Sequence, residues 1–328
     1  MSKKTRVLII GAAGFIGRRI LRQLELDGLE PVAVSRRART SLAGTGYESH
    51  DADATDVAQL RPLMRDVDAL INCVTGSPDD IVAGAEAMIA AAEGARRPIR
   101  IVHLSSLAAY GSAQGVVDES APLLGDLGAY SAAKAAADRR VAEYGEAVIL
   151  RPGIVFGPGS SWWSDRIARL LVARRLGDMG HRGEGICNAI FVDDVAQAAL
   201  RAVRLRDENL GAYNLGSPEP LTWNHYFARF GSALGVDPVP VISGPRLAFE
   251  QRFMSFPLKL AEWALRAPRA ARWNPWPPIR PWLTEICAHD IRLDVTRATS
   301  VLGMHWTPLA VGLERTANWF RAGGRTAG

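Results

Sequence analysis

Hydrophobic positions in the first half of the chain follow two alternating rhythms. Short apolar runs at Arg6–Ile10, Glu30–Ser35, Ala69–Val74, Ile99–Leu104 and Ala147–Arg151 stand between turn signals and read as strands. The segments between them, Gly17–Asp27, Val57–Arg65, Asp79–Glu93 and Tyr130–Tyr144, are rich in Ala, Leu, Arg and Glu and read as helices. Near-continuous apolar strands are buried on both faces, so this alternation predicts a parallel sheet with helices on either side. Right-handed crossovers make it a doubly wound α/β sheet that holds its ligand at the carboxyl ends of the strands. Beyond residue 152 the rhythm loosens. All nine tryptophans, Trp162 to Trp319, lie there, with prolines gathered at Pro275, Pro277, Pro278 and Pro281. The expected division is a nucleotide-binding core over residues 1–152 and a smaller, irregular substrate-binding portion over 153–328, with interleaved elements returning to the core.

Composition narrows the class. With 48% hydrophobic and 22% charged residues over 328 positions, the chain is an ordinary folded protein. It has no run of about 18 apolar residues and no secretory leader, so a cytoplasmic location is expected. Cys73, Cys187 and Cys287 are widely separated and the six histidines are scattered, so neither a disulfide framework nor a metal site is expected. The net charge of +5 is spread along the chain, and all but four of the 39 basic residues are arginine. Nucleic-acid binding needs a basic patch, so no nucleic-acid partner is expected.

Gly11-Ala12-Ala13-Gly14-Phe15-Ile16-Gly17 follows the first strand and opens a helix. Glycines there permit a tight turn, let the backbone approach a pyrophosphate, and let the helix pack closely on the sheet. The helix N-terminus at Phe15, Ile16 and Gly17 offers free N–H groups to phosphates. This is the position of a Rossmann dinucleotide loop, although a purely structural glycine turn is the competing reading. The second strand ends Ser35-Arg36-Arg37. Selection for NAD usually places an acid at the Ser35 position, whereas arginines suit the 2′-phosphate of NADP. NADP is therefore favoured and NAD remains open, as does the reading of Arg36 and Arg37 as plain surface arginines.

Tyr130 and Lys134 stand four residues apart in a helical segment and so share a face. A nearby ammonium is expected to favour the phenolate and bring the tyrosine toward acid–base work near neutrality. Ser105-Ser106 closes the fourth apolar run, Ile99–Leu104, where a hydroxyl could hold a substrate carbonyl beside the tyrosine. An exposed Tyr–Lys pair and a serine that merely caps a turn are the structural alternatives.

At this point the sequence resembles an extended short-chain dehydrogenase/reductase of the NAD-dependent epimerase/dehydratase superfamily. Its motifs match Gly11, Gly14 and Gly17; Asp53-Ala54-Thr55-Asp56; Ser105-Ser106 through Tyr110-Gly111; and Tyr130 with Lys134. Further matches are Arg151-Pro152-Gly153, Gly157-Pro158-Gly159, Phe191 through Ala196, Tyr213 through Gly216 and Asp294 through Trp306. The resemblance implies that Asp53 meets the adenine, that Ala54 and Pro152 also line the cofactor, and that Ser106, Tyr130 and Lys134 are the catalytic set. It also implies a homodimer through the alanine-dense helices Asp79–Glu93 and Tyr130–Tyr144, whose small residues could equally serve packing on the sheet.

Departures from the family pattern bear on activity. Ile10 and Ile81 replace a common threonine and asparagine. Leu107 and Ala108 stand where sugar dehydratases carry an Asp-Glu pair, so dehydration by that route is not expected. Ile186 through Ile190 contains no basic residue where nucleotide-sugar epimerases hold a diphosphate. The segment from Pro278 to Ala298 is similar to the hydroxysteroid dehydrogenase and dihydroflavonol reductase branches. The expected activity is interconversion of a secondary alcohol and a ketone on a small, mostly apolar substrate. A nucleotide-sugar epimerase and a non-catalytic dinucleotide sensor are the rival readings.

The stretch from Pro245 to Trp282 mixes aromatics and leucines with arginines. It reads as a cover over an apolar pocket, as an element lying on a membrane surface, or as an ordinary amphipathic helix with snorkelling arginines. Trp162-Trp163 is read either as a pocket wall or as core.

Overall fold

A computed structural model describes residues 4–250, 252 and 279–324. The chain forms two compact units. The first comprises residues up to Gly153 together with Val192–Pro218 and Leu293–Trp306; the second comprises Ile154–Phe191, Glu219–Arg292 and the chain from Thr307 onward.

The first unit is built on seven parallel strands: β1 (Arg6–Ile10), β2 (Glu30–Ser35), β3 (Glu48–Asp51), β4 (Ala69–Asn72), β5 (Arg100–Leu104), β6 (Ala147–Pro152) and β7 (Gly211–Leu215). Their order is β7-β6-β5-β4-β1-β2-β3, which reverses at β1 and β4 and is the doubly wound arrangement. Leu8, Ile10, Val32, Val34, Leu70, Ile101 and Ile149, alternate positions on their strands, share one core with α2 (Pro78–Glu93) and α3 (Gly128–Ala142). On another flank α1 (Phe15–Leu26) packs beside α4 (Val192–Val203), and Arg19 pairs with Asp193 at 2.6 Å. Ala85 and Ala91 of α2 and Ala133 and Ala137 of α3 are buried in this core.

Local chemistry sets the element ends. Ser77 accepts from the Asp80 backbone N–H while Asp80 accepts from that of Ser77, and Pro78 occupies the first helical position, so α2 starts on a capping box. The helix expected over 57–65 is α-helical only for Val57–Leu60 and tightens to a 3₁₀ turn over Arg61–Met64. Pro62 has no N–H to continue the ladder. β3 was not expected, because Glu-Ser-His-Asp is a polar edge strand with no apolar signal.

The second unit has its own core. Ile154–Phe156 pairs in parallel with Ala189–Phe191, and Phe156, Phe191, Trp223, Tyr226, Phe227 and Phe230 are fully buried. Trp163 packs against Trp223 and Trp282, whereas Trp162 leaves half its surface exposed with its ring edge on Trp282. Thus one of the adjacent pair is core and the other is not. The 245–282 stretch, with its three readings, lies largely outside the described residues. No helix among the described residues is long and apolar enough to cross a membrane.

Candidate active site

The glycine loop joins β1 to α1. Gly11 has φ +83°, a backbone conformation that suits glycine, and its N–H and that of Ala12 both donate to Val34 O at 2.9 and 3.1 Å. A side chain at Gly11 would meet the Cys73 carbonyl group at 3.0 Å, and one at Gly17 would press on Ala12 Cα at 2.8 Å. The turn is therefore as tight as backbone allows. No acid occupies the first turn of α1 and Gly14 supplies no side-chain cap, which leaves the first N–H groups of the helix open to an anion. This cradle fits a dinucleotide pyrophosphate. Gly17→Ala is expected to force the loop apart, lowering dinucleotide affinity at least about tenfold, for about 1–3 kcal/mol of overpacking. Titration of the purified variant with cofactor measures this.

Beside the loop, the Ser35 Oγ at the end of β2 is buried without a protein partner, while Arg36 and Arg37 are exposed. The Ala52 N–H donates to Ser35 O at 3.1 Å, bringing the segment after β3 alongside. There Asp53 accepts from the Thr55 N–H at 2.9 Å and hydroxyl at 2.8 Å, which hold its carboxyl below the usual carboxylate range, and the Arg36 charge adds to the effect. Ala54 is half-buried and packs against the sheet core, and Pro152, the last residue of β6, is buried.

The second cluster gathers at the ends of β4 and β5 and the start of α3. Ser106 caps the 3₁₀ turn Leu107–Tyr110, its Oγ accepting from the Ala108 N–H at 3.1 Å, which leaves its own O–H free to donate elsewhere. The Ser131 hydroxyl donates to Ala108 O at 2.6 Å and so pins the first turn of α3 to that same turn. Tyr130 is thereby held beside Ser106. Burial pushes the Tyr130 phenol above its ordinary value, while hydrogen bonding with the Ser106 and Thr75 hydroxyls pulls the other way. The net direction is opposite to the one expected from the lysine spacing. The lysine is aimed elsewhere: one turn on, Lys134 is buried and its Nζ donates to Leu104 O at 3.0 Å. Burial pushes the Lys134 ammonium down to about 8, opposed by Cys73 and Asp138.

Behind these residues lies a polar layer in which Tyr110, Arg151 and Asn214 of the matched motifs meet Asp138, which pattern reading did not single out. Asp138, a further turn along the face of Tyr130 and Lys134, is fully buried and takes Arg151 Nε and Nη2 on its two oxygens at 2.9 Å each. Arg151 Nη1 then donates to the Tyr110 hydroxyl at 2.9 Å and to Glu119 O at 3.0 Å, and the Tyr110 hydroxyl donates to Asn214 Oδ1 at 2.7 Å. The i+4 spacing from Lys134 was the available signal for Asp138. Thr75 follows β4 as Ser105 follows β5, and the same strand-end argument applies to it.

Residues 7–216 match the NAD-dependent epimerase/dehydratase family. The chain belongs to that family. Among curated relatives it is 30% identical to the 3-diazoavenalumate denitrifying reductase of a Streptomyces species, over 83% of this chain and 97% of that protein. It is 29% identical to the dTDP-6-deoxy-L-talose 4-dehydrogenase (NAD(P)(+)) of Kitasatospora kifunensis, over 75% of this chain and 86% of that one. Among solved structures, the UDP-N-acetylglucosamine 4-epimerase from Bacillus cereus superposes with a TM-score of 0.72, covering 97% of this chain and 100% of that one at 17% identity, a likeness of fold. The family's NAD dependence accords with the cradle at Gly11–Gly17.

Proposed function

We propose that this family member is an NADP-preferring oxidoreductase that interconverts a secondary alcohol and a ketone on a small, mostly apolar substrate. The observation that carries the reading is the first turn of α3, which bears Tyr130 with Lys134 one turn on, pinned by Ser131 to the turn that Ser106 caps at the carboxyl edge of the sheet, on the strand-end side that also holds the glycine cradle. The relatives named as a reductase and a dehydrogenase support the same class. The bound dinucleotide supplies or accepts hydride. Ser106 orients the substrate oxygen, and Tyr130 delivers a proton to it in the reductive direction. A phenol raised by burial stays protonated through the neutral range, which suits it as the acid. Lys134 would turn its remaining N–H groups to the cofactor ribose, Gly11, Gly14, Phe15, Ile16 and Gly17 would hold the pyrophosphate, and Asp53, Ala54 and Pro152 would line the rest.

The deciding experiment incubates the protein with NADPH or NADH and panels of ketones and nucleotide sugars. Loss of reduced-nicotinamide absorbance with a ketone supports the reading. Sugar inversion without net cofactor change would replace it with an epimerase, and cofactor binding with neither reaction would replace it with a sensor.

Two further outcomes follow. Exchanging Arg36 and Arg37 for Asp and Ser should shift the NADP-to-NAD ratio of dissociation constants about tenfold or more toward NAD, through loss of charge-assisted bonds to a 2′-phosphate. An unchanged ratio would retract the NADP preference. As pH rises through about 8, Lys134 loses its charge, so cofactor affinity should weaken between about pH 7 and pH 9. Over the same rise the cofactor-free fold should gain stability, because the unfolded chain keeps a lysine proton that the folded chain has released. Both trends should be absent in Lys134→Met.

A further inference from the structure

Several arginines stand around the end of β2, and they differ in how they are held. The side chains of Arg36, Arg37 and Arg39 are exposed and make no hydrogen bond or ion pair among the described residues. Arg18, at the end of the first turn of α1, is exposed as well, but its guanidinium is tied at two points. Its Nε donates to Ala13 O at 3.0 Å, inside the glycine loop. Its Nη2 donates to Ser41 O at 2.7 Å, on the chain that follows Arg36 and Arg37. Both acceptors are neutral carbonyls, and no carboxylate pairs with Arg18 among the described residues. An ion pair would have fixed the side chain and cancelled its charge together. Here the position is fixed and the charge is kept, with Nη1 making no bond among the described residues.

The two anchors bracket a known part of a doubly wound sheet. The dinucleotide pyrophosphate lies on the glycine loop, and the 2′ position of the adenosine ribose lies toward the end of the second strand. Arg18 spans from one to the other. Ser35 closes β2 with a small hydroxyl, so no carboxylate stands there to repel an anion. Asp51 and Asp53, beyond it, accept from the Arg39 and Thr55 backbone N–H groups at 2.9 Å each. An unrestrained arginine gives up rotamer freedom when it grips a phosphate, whereas Arg18 has already given up its own. We propose that Arg18 is the pre-organised cation for the 2′-phosphate of NADP, with Arg36 and Arg37 adding charge beside it. The assignment rests on the NADP preference proposed above. It adds a residue of α1 that the strand-end pattern at Ser35–Arg37 does not indicate.

The test titrates full-length, cofactor-free protein by calorimetry with NADPH and NADH, and with the fragments 2′,5′-ADP and 5′-AMP. Each pair differs only in the 2′-phosphate. Arg18→Gln keeps an amide donor for a carbonyl and removes the charge; Arg18→Lys keeps the charge and loses the fork. In Arg18→Gln the Kd values of NADPH and 2′,5′-ADP should rise about tenfold, while those of NADH and 5′-AMP stay within about twofold. Arg18→Lys should fall between Arg18→Gln and the wild type. A loss shared equally within each pair would make Arg18 a brace of the loop or a pyrophosphate ligand, and would overturn the proposal. Four unchanged constants would overturn it too. A wild type that binds NADPH and NADH equally retracts the NADP preference and this assignment with it. A wild type that prefers NADPH, with the ratio unmoved in Arg18→Gln, retracts the assignment alone. Should Arg18→Gln not fold, as judged by urea unfolding, the ratio in Arg18→Lys decides by the same criterion.

Discussion

Replacing Tyr130 with Phe should lower turnover by about 10²–10⁴-fold, the usual worth of a positioned general acid, while cofactor affinity stays within about a factor of two or three. The two effects separate because the substitution removes one oxygen and leaves the ring. Tyr130 lies in the first turn of α3, and that turn is fixed by the Ser131 hydroxyl on Ala108 O rather than by the phenol. Steady-state kinetics with the ketone found by the panel, and fluorescence titration with cofactor, measure the two quantities. Turnover equal to that of the wild type would end the acid role. The pH profile adds a sign. With its proton held more tightly than an ordinary tyrosine, the phenol should impose no loss of ketone reduction between about pH 6 and pH 9, whereas alcohol oxidation, which needs the phenolate, should climb across that span.

The second large effect is on stability. Asp138 and Arg151 are both buried and form a two-pronged ion pair between α3 and β6. Asp138→Ala or Arg151→Met alone leaves the surviving charge buried without its partner, and each should cost about 3–5 kcal/mol. Exchanging both for apolar residues should cost less than the two single changes together, since neither charge is then left behind. Urea unfolding of the four proteins forms the cycle. Strictly additive losses would mean that the pair is not coupled. Because Asp138 stands one turn beyond Lys134 on α3, and Arg151 continues to the hydroxyl of Tyr110, the single changes should also loosen the helix that carries the proposed acid.

Much of the architecture is legible in the sequence. The apolar runs marked five of the seven parallel strands, since strands buried on both faces have an unmistakable composition. They missed β3, whose polar residues form an edge, and the rhythm beyond residue 152 did not point to β7, which returns from far along the chain to the sheet. The proline at Pro62 sat inside an expected helix and shortened it. Glycines at 11, 14 and 17 were legible as a cradle because their spacing along a strand–turn–helix nearly dictates the local backbone.

The chain alone therefore determined the layered α/β architecture, the loop for a dinucleotide and the placing of Tyr130 and Lys134 on one helical face, all of which follow from short-range periodicity. It did not determine what those side chains meet. The tertiary structure decided that Lys134 bonds to Leu104 O, that the phenol is raised rather than lowered and that Asp138 pairs with Arg151. Each of these depends on the packing of α3 against the ends of β4, β5 and β6, and on the water that packing excludes. Separations along the sequence carry no record of either.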